Sequence, residues 1–156
     1  MRTVFTRTLI GLAITTIAAL GADNTIGTWK LNMAKSKFTP GPSPVKSLTI
    51  TREASDGGVK VTVSGERADG TPANSSYTLK YDGQEVQVAG NAPYDTIAVK
   101  QVDANTLTDE RKKTGTQYRA TGRTVISKGG GTYNATIKGT DADGKPFTNV
   151  MVFDKQ

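Results

Sequence analysis

The chain has 156 residues, a formal charge of +6, no histidine and no cysteine. Those two absences argue against histidine-based acid–base catalysis, thiol chemistry, most transition-metal sites, a disulfide framework and a lipid-modified N-terminal cysteine. The basic residues are scattered rather than grouped with aromatics, so nucleic acid is not an expected partner.

Residues 1–21 read as a secretory signal peptide. Arg2 and Arg7 form a positive n-region, Leu9 to Leu20 is a short apolar run, and Ala19-Leu20-Gly21 offers small residues for cleavage before Ala22. The run is interrupted by Thr15 and Thr16 and is shorter than the about 20 apolar residues of a membrane span, so no stable membrane insertion is expected. The expected location is periplasmic or secreted. Residues 22–156 then form one domain's worth of chain, enough to bury roughly two-thirds of its unfolded surface. Of the 20 basic residues, two leave with the leader, and 18 against 14 acidic residues give a balance of +4.

Gly27-Thr28-Trp29-Lys30-Leu31, with the one tryptophan of the chain, opens the first strand. Met33 to Pro44 carries Pro40, Pro42 and Pro44, which cannot donate ladder hydrogen bonds, and is expected to be an extended connection to the second strand. Beyond it, apolar residues alternate with polar ones: Leu48 and Ile50; Val59, Val61 and Val63; Tyr77, Leu79 and Tyr81; Val86 and Val88; Ile97 and Val99; Tyr133, Ala135 and Ile137. Period two marks strands with one buried face. Asp-Gly and Gly-rich turns at Gly57-Gly58, Asp69-Gly70, Asp82-Gly83, Thr114-Gly115, Gly129-Gly130-Gly131 and Asp143-Gly144 punctuate the chain every 8 to 15 residues or so, the rhythm of hairpins. No apolar helical period is long enough for a substantial helix. The fold class is therefore all-β: an antiparallel up-and-down meander closed into an 8- to 10-stranded barrel, because closure removes unpaired edges.

An internal echo runs through the meander. Val61 to Pro72 (VTVSGERADGTP) matches Ala135 to Pro146 (ATIKGTDADGKP), each reading as strand, turn and returning strand. The turn chemistry also accounts for most of the aspartates, so carboxylate-based hydrolysis has little to stand on and no enzyme is expected. Asp141 to Lys145 does not fit a calcium loop, which needs glycine at its sixth position and glutamate at its twelfth, where this chain has Val152. Neither a metal nor a cofactor is expected. The dense basic run Arg111-Lys112-Lys113 reads as a solvated hairpin end.

Gly27-Thr28-Trp29 at the start and Val152-Phe153-Asp154-Lys155 at the end, around a meander of strands, resemble the calycin group, the lipocalins and intracellular fatty-acid-binding proteins. More narrowly, GTWKLN with KSKF at the start and DADGKPF with VFDKQ at the end is similar to a bacterial exported lipocalin-like family. The resemblance implies that Trp29 is structural, packing across one barrel end beneath an arginine from a late strand, Arg119 or Arg123, through a cation–π contact. Fatty-acid-binding proteins usually hold a carboxylate with an Arg-X-Tyr pair on the last strand. Here Met151 and Phe153 take those places, which implies an apolar interior and a small, largely uncharged ligand. The helical lid of those proteins is replaced by the proline-rich connection.

The candidate ligand-binding residues are Tyr77, Tyr81, Tyr118, Tyr133, Met151 and Phe153. Such a set either lines a pocket with aromatic faces and a few hydroxyls or fills the barrel solid, since a small barrel has room for one or the other. The expected protein is an exported monomer that binds a small hydrophobic molecule inside the barrel. The alternative is a non-catalytic envelope or extracellular interaction module with a solid core, and the sequence specifies no protein partner for it.

Overall fold

The computed structural model describes residues 23–156, and the signal-peptide reading of residues 1–21 lies outside the described residues. Twelve strands follow in order: β1 (Gly27–Leu31), β2 (Lys37–Thr39), β3 (Val45–Ser55), β4 (Gly58–Arg67), β5 (Ser75–Leu79), β6 (Asp82–Gln87), β7 (Ala89–Gly90), β8 (Thr96–Asp103), β9 (Thr106–Lys112), β10 (Arg119–Ile126), β11 (Thr132–Thr140) and β12 (Pro146–Lys155). One three-residue 3-10 turn, Met33–Lys35, is the helical exception. The alternation that builds the strands is plainest in β10, where Arg119, Thr121, Arg123 and Val125 face out and Ala120, Gly122, Thr124 and Ile126 face in.

All strand pairs are antiparallel, in the order β6-β8-β9-β10-β11-β12-β1-β3-β4-β5-β7, with β2 beside β12. The two ends of that order, β6 and β7, are successive pieces of one segment, Asp82 to Gly90. β6 bonds to β8 and β7 bonds to β5, so the sheet returns on itself as a nearly closed barrel compatible with a calycin-like fold. The strand count departs from the expected eight to ten. Part of the stretch expected to be irregular is β2, whose Phe38 pairs with Asn149 before Pro40 ends the ladder. Asp82 to Gly90 counts twice because it changes partner at Val88.

The echoed stretches share their glycines for one physical reason. A Cβ at Gly65 would lie 2.1 Å from the Ser47 carbonyl oxygen, and one at Gly139 would lie 2.0 Å from that of Arg119. In both copies the neighbouring backbone occupies the space a side chain would need.

The closed end of the barrel is solid. Trp29 and Phe153 have no exposed surface, and Leu31, Ile126, Tyr133 and Ala135 pack around them. Trp29 Nε1 donates to the Thr25 carbonyl at 2.9 Å, and its ring meets Tyr133 edge-on with centroids 5.4 Å apart. The cation over Trp29 is Lys155, with Nζ 5.1 Å from the ring centroid, which corrects the expectation of Arg119 or Arg123. Both arginines occupy outward positions of β10, whereas Lys155 pairs with Trp29 across β1 and β12. Gly27 makes the arrangement possible, because a Cβ there would lie 2.8 Å from Lys155 Cε. The Gly-Thr-Trp motif therefore works as a unit: the glycine leaves room for the lysine that covers the tryptophan.

Candidate functional site

Above this floor the barrel is hollow, with a cavity of about 500 Å³. That lies within the range of small-molecule pockets. The walls come from inward positions of consecutive strands: Leu48, Ile50 and Arg52 on β3, Ile97 and Val99 on β8, Leu107, Asp109 and Arg111 on β9, and Phe147, Met151 and Phe153 on β12. The mouth carries exposed Pro40, Pro42 and Pro44, so the proline-rich connection borders the opening. Arg67 braces the opposite rim by donating to the carbonyls of Pro72 and Asn91.

Five of the six residues expected at the site line this one cavity: Tyr77, Tyr118, Tyr133, Met151 and Phe153. Tyr81 does not. Its backbone has a φ of +57°, and its hydroxyl lies 2.6 Å from Thr25 Oγ1 beside the floor. Trp29 is likewise absent from the lining, so it closes the barrel and does not meet the cavity.

Sequence reasoning missed Tyr94, Phe147, Arg52, Asp109 and Arg111. Tyr94 is buried in the turn ahead of β8 and stacks on Tyr118 at 6.2 Å, which in turn stacks on Phe147 at 6.0 Å. The reading of Arg111 as a solvated hairpin end is corrected: its guanidinium lies over the Tyr94 ring at 5.0 Å, and its Nε donates to Asp109 Oδ1 at 2.5 Å. Its neighbour Lys112 is exposed and pairs with Glu85, so the run divides between the two faces of one strand. The Asp109 carboxylate fits because β10 offers Gly122 opposite it, where a Cβ would sit 2.2 Å from Oδ2. The interior is thus less apolar than Met151 and Phe153 alone imply.

Arg52 is the other interior cation. Its Nη2 donates to the Tyr133 hydroxyl at 3.2 Å, and its guanidinium lies 5.0 Å from the centroid of that ring. Desolvation works to lower its pKa, but Tyr133, Tyr81, Tyr77 and Asp109 outweigh it and the pKa is raised, so the side chain is cationic. Two of its donors, Nε and Nη1, are buried with no hydrogen-bond partner.

Three phenols of the cavity wall, those of Tyr77, Tyr94 and Tyr118, are held neutral. Burial drives the pKa of Tyr77, on the cavity wall, well up. Burial also raises Tyr94, against the opposing pull of Arg111, and pushes Tyr118 up to about 12. At neutral pH these groups donate and accept hydrogen bonds without carrying charge. Among the described residues no three acidic side chains come together in a way that could hold a metal ion. The arrangement offers an apolar enclosure with a few fixed polar contacts, the composition of a binding pocket.

No protein-family model matches the chain, and no curated protein matches it either.

Proposed function

We propose that this protein is an exported, monomeric, lipocalin-like binder of a small hydrophobic molecule, with the barrel interior as its site. The observation that carries the reading is the cavity of about 500 Å³, closed below by Trp29 and lined by stacked aromatics and aliphatic side chains. A barrel of this size filled by its own side chains would have no such space. The leader-like residues 1–21 support work outside the cytoplasm, in the periplasm or beyond. The resemblance in the opening and closing motifs to lipocalins and fatty-acid-binding proteins points the same way.

Native mass spectrometry of the protein purified from its own host, followed by organic extraction, tests this. A stoichiometric mass increment that extracts into organic solvent is the expected result. A bare chain that also takes up no apolar probe would overturn the reading in favour of an interaction module.

A further inference from the structure

We propose that the cavity takes a hydrophobic monoanion, an apolar body ending in a single carboxylate, with the charged end at Arg52. The inference rests on the carrier reading above and narrows it to a ligand class. Six charged side chains line the cavity, Arg67, Asp141 and Lys145 towards the mouth and Arg52, Asp109 and Arg111 in the interior. Asp109 and Arg111 satisfy one another through the Nε to Oδ1 contact, which leaves one positive charge over in the interior. Arg52 is paired with no carboxylate among the described residues; its one hydrogen-bond acceptor is the phenol of Tyr133.

A guanidinium is always charged and carries five N–H donors. Buried with two nitrogens unpartnered, it carries a penalty for hydrogen bonds to water that are lost and that a single neighbouring phenol does not replace. The inward face of β3 otherwise carries Leu48 and Ile50, and an apolar residue at position 52 would continue that face at no such cost. An incoming anion removes the penalty, whereas a neutral ligand leaves it in place. Beside Arg52 a second negative charge on the ligand would find no further free cation, because Arg111 is engaged by Asp109 and the other lining cations, Arg67 and Lys145, stand towards the mouth. A carboxylate also matches the planar fork of the guanidinium in shape.

The strand register sets the orientation of the ligand. β3 starts at Val45 beside the mouth prolines, and Arg52 sits seven residues further along, opposite Gly27 near the floor. The anionic group therefore lies deep and the apolar body extends towards the mouth past Ile50, Met151 and Phe147.

The test is isothermal titration of the full domain with two matched pairs of probes: decanoate and decanol, naphthoate and naphthylmethanol. The protein is expected to bind the carboxylate of at least one pair about tenfold or more tightly than its alcohol. Arg52→Met is expected to erase that preference while still binding the alcohol. The same variant, empty, is expected to melt about 3 °C or more above the parent, because it removes a buried unpaired charge. A carboxylate should then raise the melting temperature of the parent more than its alcohol does, and that of Arg52→Met no more than the alcohol does. Alcohol bound as tightly as carboxylate, or a preference that survives in Arg52→Met, would overturn the assignment and leave the carrier reading standing. If none of the four probes binds, both fall.

Discussion

The two ends of the barrel use aromatic residues to opposite effect. At the floor, Tyr133 stacks on Phe153 at 4.8 Å and meets Trp29 at 5.4 Å, with Lys155 capping the tryptophan, and the three rings pack against one another beneath the cavity. Towards the mouth, Tyr94, Tyr118 and Phe147 stand 6.0 to 6.2 Å apart and border a void. The floor is filled by its own chain, while the upper half stacks its aromatics along the wall of the cavity. Stability and binding are thereby separated along the barrel axis, and substitutions at the two ends should differ in kind.

The largest effect is expected at the floor. Trp29→Ala should lower stability by about 3–5 kcal/mol in a denaturant titration, as for other fully buried large aromatics. A loss as small as that of a half-buried wall residue would break the contrast. Next comes alkaline pH, which acts on the hollow half. Tyr118 ionises at about 12 in the folded chain against 10.0 when free, and burial raises Tyr77 and Tyr94 as well. Above pH 10 the unfolded chain binds fewer protons than the folded one, so stability should be flat below that pH and fall as it rises towards 12. For Tyr118 alone the full fall is on the order of 3 kcal/mol. Phenolate absorbance should rise together with loss of the fold; a gradual rise in an intact barrel would show that the phenols are open to water.

Gly122→Ala should cost about 1–3 kcal/mol, because the new Cβ displaces the Asp109 carboxylate and leaves Arg111 without its partner. Removing the carboxylate as well, in the double variant Gly122→Ala with Asp109→Asn, should show strong non-additivity. Phe147→Ala, half-buried on the cavity wall, should cost only about 1 kcal/mol while weakening the uptake of apolar probes. The smallest effect belongs to the rim: Lys112→Ala breaks an exposed pair with Glu85 and should change stability by less than about 1 kcal/mol.

The strands were legible because a half-buried strand writes its phase into the sequence. Val59 and Val61, or Tyr133, Ala135 and Ile137, can face only one way. Tyr77 and Tyr133 carry that phase, and both line the cavity. Tyr81 does not, since its positive φ breaks the alternation that Tyr77 and Leu79 establish. β10 shows a different failure: its inward residues Ala120, Gly122 and Thr124 are small, so nothing in the pattern reveals that Arg119 and Arg123 point outward. The short strands β2 and β7 leave no pattern because two or three residues cannot alternate visibly.

The interior charges were hidden for a chemical reason. Leu48-Ile50-Arg52 and Leu107-Asp109-Arg111 each keep strict period two, so their phase alone places the charged residues inside. Hydrophobicity assigns them to solvent, and only a partner across the barrel, Tyr133 for Arg52 or Tyr94 for Arg111, makes the inward position tenable. Such partners are far apart in sequence and become visible only in the fold.

That the upper barrel is hollow and open to a ligand is tested most directly by filling it. Met151 is half-buried and packs against both core clusters, so Met151→Trp places a large side chain across the cavity between the floor and the aromatics nearer the mouth. Titration with the neutral fluorophore N-phenylnaphthylamine should show saturable one-to-one binding to the parent protein and its loss in the filled variant. Equal binding to the two proteins, or none to the parent, would contradict an open interior site.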